Sequence, residues 1–153
     1  MHPDAEPIAF LLGTWKGEGK GNYPTIESFA YGEEITFANV GKPALAYTQR
    51  TWHPSKGFTM HLEVGYWRPV PGNGLEIVLV HPTGIVEIQE GTIEGGRIDV
   101  GSTTVAKTST AKDVTRLERT FEISGDVMRY EVRMAAVGVP LSPHLEAELH
   151  RVS

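Results

Sequence analysis

The sequence predicts an all-β fold, an antiparallel up-and-down β-barrel of about ten strands with one short N-terminal helix. Three observations point there. Runs of alternating apolar and polar residues recur at the short spacing of barrels and sandwiches. The 17 glycines and 10 prolines are spread through the 153 residues as turn punctuation rather than gathered in a linker. No long helical segment exists to cover a parallel sheet, so α/β folds are out. A β-sandwich fits the same pattern and stands as the structural alternative.

In chain order, Asp4 to Leu12 reads as the helix, with Asp4 capping it and Gly13 ending it. Strands then follow over Thr14–Lys20, Ile26–Val40, Ala44–His53, Thr59–Arg68 and Leu75–His81. Further strands are expected over Ile85–Ile93, Arg97–Thr103, Val114–Ser124, Val127–Val137 and His144–Val152. Pro54-Ser55-Lys56-Gly57, Pro71-Gly72-Asn73-Gly74, Pro82-Thr83-Gly84, Gly95-Gly96 and Ser124-Gly125-Asp126 supply turns. Residues 1–153 read as a single domain, long enough to bury a core without metal or disulfide staples.

Composition narrows the function. The chain has no cysteine, which removes disulfide frameworks, iron–sulfur sites and thiol catalysis, and suits a reducing cytosol. The apolar run Ile8 to Leu12 is too short for a signal peptide or a membrane span, and no basic segment precedes it. The expectation is a soluble cytoplasmic protein without a membrane partner. A net charge of −5 argues against nucleic acid, which requires a basic patch.

The stretch Gly13-Thr14-Trp15-Lys16-Gly17-Glu18-Gly19-Lys20-Gly21-Asn22-Tyr23-Pro24-Thr25-Ile26 is the most informative one. Glycines alternating with polar residues describe a strand pressed against a neighbouring backbone or a ligand. A phosphate loop would have to open a helix, which Pro24 and the β-branched Thr25 and Ile26 oppose.

None of the six histidines lies in an H-E-x-x-H or paired-cysteine pattern, so there is no zinc-enzyme signal. Taken alone, His144 reads as a surface histidine at a strand start. Leu145, Ala147 and Leu149 form the apolar row of the last strand, which sets His144 with Glu146, Glu148 and His150. To face the interior, His144 must precede regular pairing, sit at a bulge or project at an open mouth. In the fourth strand Met60, Leu62, Val64 and Tyr66 read as the interior row, which places His61 outside. Met128, Tyr130, Val132, Met134 and Ala136 form another apolar row, and Met60 and Met134 read as gap-filling core. Glu33, Glu34, Glu87, Glu90 and Glu94 give no defined acid/base pair and read mostly as solvated faces. Arg50 and Arg68 stay open between a binding role and strand-edge solubility. Ser142 lacks a G-x-S-x-G elbow, so hydrolase chemistry is unsupported.

The block G-T-W-x-G-x-G-x-G-x-Y-P-T-I closely resembles the signature of the nitrobindin family, small haem-binding β-barrels. The similarity continues through Phe29 to Glu34, Val40-Gly41-Lys42-Pro43, Tyr47 to Trp52, Met60-His61, Thr83 to Glu87 and Leu141-Ser142-Pro143-His144-Leu145. It spans nearly the whole chain in matching order. The resemblance favours the barrel over the sandwich, with an architecture like that of fatty-acid-binding proteins. It implies one haem b per chain, with His144 as the proximal iron ligand. It also implies that Thr25, Met60, His61 and Met134 lie near the haem, and that Lys112 serves a propionate; a solvated turn lysine is the alternative for Lys112. The activity it implies is isomerisation of peroxynitrite to nitrate at ferric haem, with binding of nitric oxide. A non-catalytic nitric oxide sensor or carrier shares the cofactor. A carrier of fatty acids or other apolar ligands would need no axial imidazole and would place arginine or tyrosine on a carboxylate. Barrel edges or the first helix are compatible with a homodimer.

Overall fold

A computed structural model describes residues 1–153 and closes ten antiparallel strands into one barrel, in which β1 pairs with β10. The strands are β1 Gly13–Tyr23, β2 Ile26–Lys42, β3 Ala44–Trp52, β4 Thr59–Val70 and β5 Gly74–His81. They continue as β6 Ile85–Glu94, β7 Arg97–Lys107, β8 Val114–Ser124, β9 Val127–Ala136 and β10 Val139–Arg151. Every strand pairs with its chain neighbours, so the barrel replaces the sandwich alternative. Each expected strand is present, and the departures lie at strand ends. The largest is β10, which starts at Val139 rather than His144. Register irregularities at Val139/Ser142 and Pro143/Leu145 let the strand carry Pro140 and Pro143, which have no ladder donor.

The N-terminal helix is a 3₁₀ helix over Pro3–Leu11, interrupted by non-helical geometry at Ile8. Pro3 and Pro7 remove donors that a continuous α ladder would use. Its cap is His2, not Asp4, since the Asp4 N–H donates to His2 Nδ1 at 3.1 Å. Ala5, Ile8 and Leu11 are fully buried and join Trp15 in the core; the Trp15 indole donates to the Leu11 carbonyl at 2.8 Å. Burying Ile8 and Leu11 contributes roughly 1.5–3 kcal/mol each.

The helix plugs the end that carries the β4–β5, β6–β7 and β8–β9 turns, where Phe10, Pro71, Gly95 and Asp126 line a common cleft. Arg151 ties this end together. It lies 4.2 Å over Trp15, pairs with Asp126 at 2.8 Å and donates to the Phe10 and Leu12 carbonyls. Above the plug, Trp67 packs against Phe37, Phe121 and Tyr47 with ring centroids 4.9, 5.1 and 5.4 Å away. The opposite end, with the β1–β2, β3–β4, β5–β6, β7–β8 and β9–β10 turns, has no helix over it.

The glycine-rich β1 behaves as its sequence predicts. A side chain at Gly19 or Gly21 would run into the Tyr31 or Phe29 ring of β2, and one at Gly17 into the β10 backbone. The expectation for β4 is reversed. His61, Glu63, Gly65 and Trp67 face inward, while Met60, Leu62, Val64 and Tyr66 are exposed. Two facts outweigh the apolar content of the outer row. Trp67 is the larger payload for the core, and Glu63 has a buried arginine partner inside.

Candidate haem site at the uncovered end

Five of the six residues singled out in the sequence gather around the uncovered end. Thr25 lies in the β1–β2 turn, His61 near the start of β4, and Lys112 in the β7–β8 loop. Met134 lies near the end of β9, and His144 in the irregular part of β10 beside it. Met60, the second residue of β4, lies at the same end but belongs to the outer row and is 37% exposed. Its expected interior place is corrected, as is the outward place of His61.

His144 resolves the three-way choice left by strand alternation, because the register shift between Pro143 and Leu145 puts it at a bulge. Its Nδ1 lies 2.9 Å from the Asn22 carbonyl oxygen. A carbonyl can only accept, so Nδ1 carries the proton and Nε2 keeps a free lone pair. The edge of Tyr23 meets the ring at 5.4 Å and 73°. The Tyr23 hydroxyl donates to the Met134 carbonyl at 3.0 Å and accepts the Ala136 N–H at 2.9 Å. Thus β1 and β9 together hold the imidazole. Burial keeps its pKa below the usual histidine value, against the raising effect of the Asn22 carbonyl. A neutral imidazole with its tautomer set by a carbonyl is what an axial haem ligand requires, so these residues fit that group.

Below the mouth lies a buried polar belt that the sequence did not reveal. Arg119 donates to Glu63 at 3.1 and 3.3 Å and to Glu87 at 3.0 and 3.1 Å. Tyr47 donates to Glu63 at 2.9 Å, and Gln89 to Glu87. His81 Nε2 lies 2.6 Å from Glu87, and His81 Nδ1 lies 3.1 Å from His61 Nε2. Glu33 accepts from Tyr130 at 2.6 Å and from Gln49 at 2.7 Å, and Tyr130 meets Tyr31 at 2.8 Å. Glu33 and Glu87 are therefore corrected from solvated faces to barrel interior. Glu90 and Glu94 are exposed, and Glu34 pairs with Lys16 and Arg50 on the outside. Arg68 pairs with Glu76 there at 3.0 Å, so neither Arg50 nor Arg68 enters the site.

Charge in the belt is set by partners. Burial would raise Glu87, yet Arg119 and His81 hold it down at about 2. Burial opposes ionisation of Glu63 too, and Arg119 again lowers it. Glu33 is too little compensated by its hydrogen bonds, and burial pushes it up to about 7. Burial lowers His61 below the usual histidine value. A signal for this belt did exist in the sequence. Arg119 shares a strand row with Leu117 and Phe121, and Glu63 one with Trp67, but which row faces inward had to be known first.

Residues 4–151 match the model of the THAP4-like, haem-binding β-barrel domain family. The chain belongs to that family. Its haem-binding character agrees with the free Nε2 of His144 and with the resemblance seen in the sequence. The fold superposes on the crystal structure of Rv2717c from M. tuberculosis with a TM-score of 0.94, at 43% identity, covering 100% of this chain and 99% of that one. Peroxynitrite isomerase 1 of Mycolicibacterium paratuberculosis is 51% identical over 156 residues, covering 99% of this chain and 96% of that protein. Peroxynitrite isomerase of Nocardia farcinica is 52% identical over 155 residues, covering 99% of this chain and 92% of that protein.

Proposed function

We propose that this family member is a cytoplasmic single-domain haem protein that isomerises peroxynitrite to nitrate and binds nitric oxide at the same iron. The observation that carries the reading is His144, neutral, bulged out of the β10 alternation and left with a free Nε2 by the Asn22 carbonyl. Relatives about half identical over nearly their full length bear the name of that activity. When bound, ferric haem b supplies the Lewis acid at which the anion rearranges. The net reaction exchanges no proton or electron with the protein, so the residues need only hold and shield. His144 binds the iron, and Asn22 and Tyr23 orient it. Met134 and His61 line the interior side with little charge, since burial favours neutral His61. Thr25 lies at the rim, and exposed Lys112, which has no ion-pair partner in the protein, is placed to receive a propionate.

The fatty-acid carrier loses support from the same interior. It would place an arginine or tyrosine on a ligand carboxylate, but Arg119 already serves Glu63 and Glu87, and Tyr47 and Tyr130 donate to Glu63 and Glu33. A second carboxylate there would meet two ionised glutamates. The outer face of β4, β5 and β6 supports a homodimer. Leu62, Val64, Tyr66, Val78, Val80 and Ile88 are exposed together, with Val64 paired to Val80 and Val78 to Ile88. Elsewhere the outer rows carry charge, as in Arg129, Glu131 and Arg133 of β9.

Adding ferric haem to purified protein tests the reading. Wild type is expected to show a stoichiometric Soret shift and to speed the conversion of peroxynitrite to nitrate, and His144→Ala to lose both. An unchanged spectrum and rate in His144→Ala would overturn the ligand assignment. Haem binding without nitrate formation would leave the nitric oxide carrier.

A further inference from the structure

We propose that His61, His81 and Glu63 form a binding site for a divalent transition cation of the zinc class, inside the barrel and separate from His144. Their ligand atoms lie within 4.8 Å of one another. They come from β4 and β5, so the site is built across a strand pair rather than on one flexible loop.

The orientation of His81 is the first support. Its Nε2 lies 2.6 Å from the Glu87 carboxylate, which Arg119 keeps ionised, so Nε2 carries the proton and donates. In the neutral ring Nδ1 is then a lone pair, and it points at His61 Nε2 from 3.1 Å. A carboxylate holding the remote nitrogen of a ligand imidazole is the usual outer-shell arrangement at zinc sites. Two nitrogens 3.1 Å apart, each about 2.0–2.1 Å from one ion, subtend an angle of roughly 100°. That suits a four- or five-coordinate site once each ring tilts by about 40°, which replaces the present hydrogen bond between the two rings. Glu63 Oε1 accepts from both Tyr47 and Arg119, but Oε2 accepts from Arg119 alone and keeps a lone pair for a cation.

Charge balance is the second support. Glu63 and Glu87 against Arg119 leave one uncompensated negative charge in the barrel when both imidazoles are neutral. A buried net charge is costly unless it is paired. A divalent cation between the imidazoles and Glu63, carrying one hydroxide in its open position, adds a net single positive charge and closes that balance. A second proton shared by the two rings is the competing way to supply it. The imidazole pair and carboxylate favour zinc-class ions over magnesium or calcium, which prefer all-oxygen shells. Access is from the His61 side: His61 is partly exposed near the uncovered end, the His81 side chain is 9% exposed, and Glu63 and Glu87 beneath them are buried.

The test uses the full chain without added haem, titrated with Co2+ and followed by the visible ligand-field bands, then with Zn2+ as competitor. One equivalent of Co2+ is expected to bind and to be displaced by Zn2+. His61→Ala and His81→Ala are each expected to weaken binding by more than about 100-fold, and Glu87→Gln by about 10- to 100-fold. His150→Ala, which removes an exposed histidine beside Glu148, is expected to change nothing. His81→Gln guards against misfolding in the alanine variant; circular dichroism should show it folded, and the bands should be lost. No bands in wild type, or bands kept in the folded His81→Gln protein, would overturn the site and favour the shared proton. Because no haem is added, failure here leaves the His144 reading standing, and failure of the Soret test leaves this site standing.

Discussion

The two ends of this barrel solve opposite problems. The plugged end is apolar and redundant, with the 3₁₀ helix, Trp15 and the Phe37, Trp67 and Phe121 rings interlocking, and Arg151 cross-linking the chain termini region. The open end is polar and singly determined. His144 rests on one carbonyl and one tyrosine, and the belt beneath it sets two glutamates, Glu63 and Glu87, against one arginine. The difference teaches that stability and ligand binding are separately adjustable here. Packing spreads its free energy over many contacts, while a buried charge network concentrates it in a few groups.

The sharpest way to break the comparison is Arg119→Met. It strips compensation from Glu63 and Glu87 together, and chemical denaturation is expected to show a loss of about 3–5 kcal/mol. A loss below about 1 kcal/mol would mean that the belt is more hydrated than its burial indicates. At the plugged end, Leu11→Ala is expected to cost about 2–5 kcal/mol while leaving haem affinity unchanged. A matching fall in haem affinity would show that the two ends are coupled.

Glu33 gives the next effect, through pH. Its folded value of about 7 lies above the ordinary 4.5, so its stabilising protonation is fully present below pH 4.5. That contribution is lost as pH rises to 7, by about 3 kcal/mol in all. Glu87 has the opposite sign: held at about 2, it contributes fully above pH 4.5 and is lost as pH falls toward 2. Denaturation midpoints of Glu33→Gln should therefore stay flatter than wild type between pH 4.5 and 7. Gln49 Oε1 has no partner, so a flipped Gln49 amide can accept from the new side chain. The smallest effect on stability is expected from Val80→Lys on the outer sheet face, within about 0.5 kcal/mol. Sedimentation is expected to show wild type as a dimer and this variant as a monomer; a dimer that survives would move the interface elsewhere.

Much of this molecule was legible in one dimension. Alternation and turn residues located ten strands, because a period of two and a glycine or proline at a reversal are local properties. The β1 glycines announced close contact, and the Leu141-to-Leu145 block marked His144 through its family resemblance. The inward face of β4 was not legible, because its outer row is the more apolar one. Only the pairing of β3 with β4, Leu45 to Trp67 and Gln49 to Glu63, shows which row meets the core. The belt was hidden for the same reason, since Glu33, Glu63, Glu87 and Arg119 are far apart in sequence and become partners only when the barrel closes. The bulge that frees His144 from its row depends on the register of β10 against β9, which the two prolines suggest but cannot place. The sequence by itself determined the strands and their turns, and through the family resemblance singled out His144 as the proposed iron ligand. Tertiary structure decided which faces look inward and which charges meet, because strand facing and ion pairing are properties of register between strands.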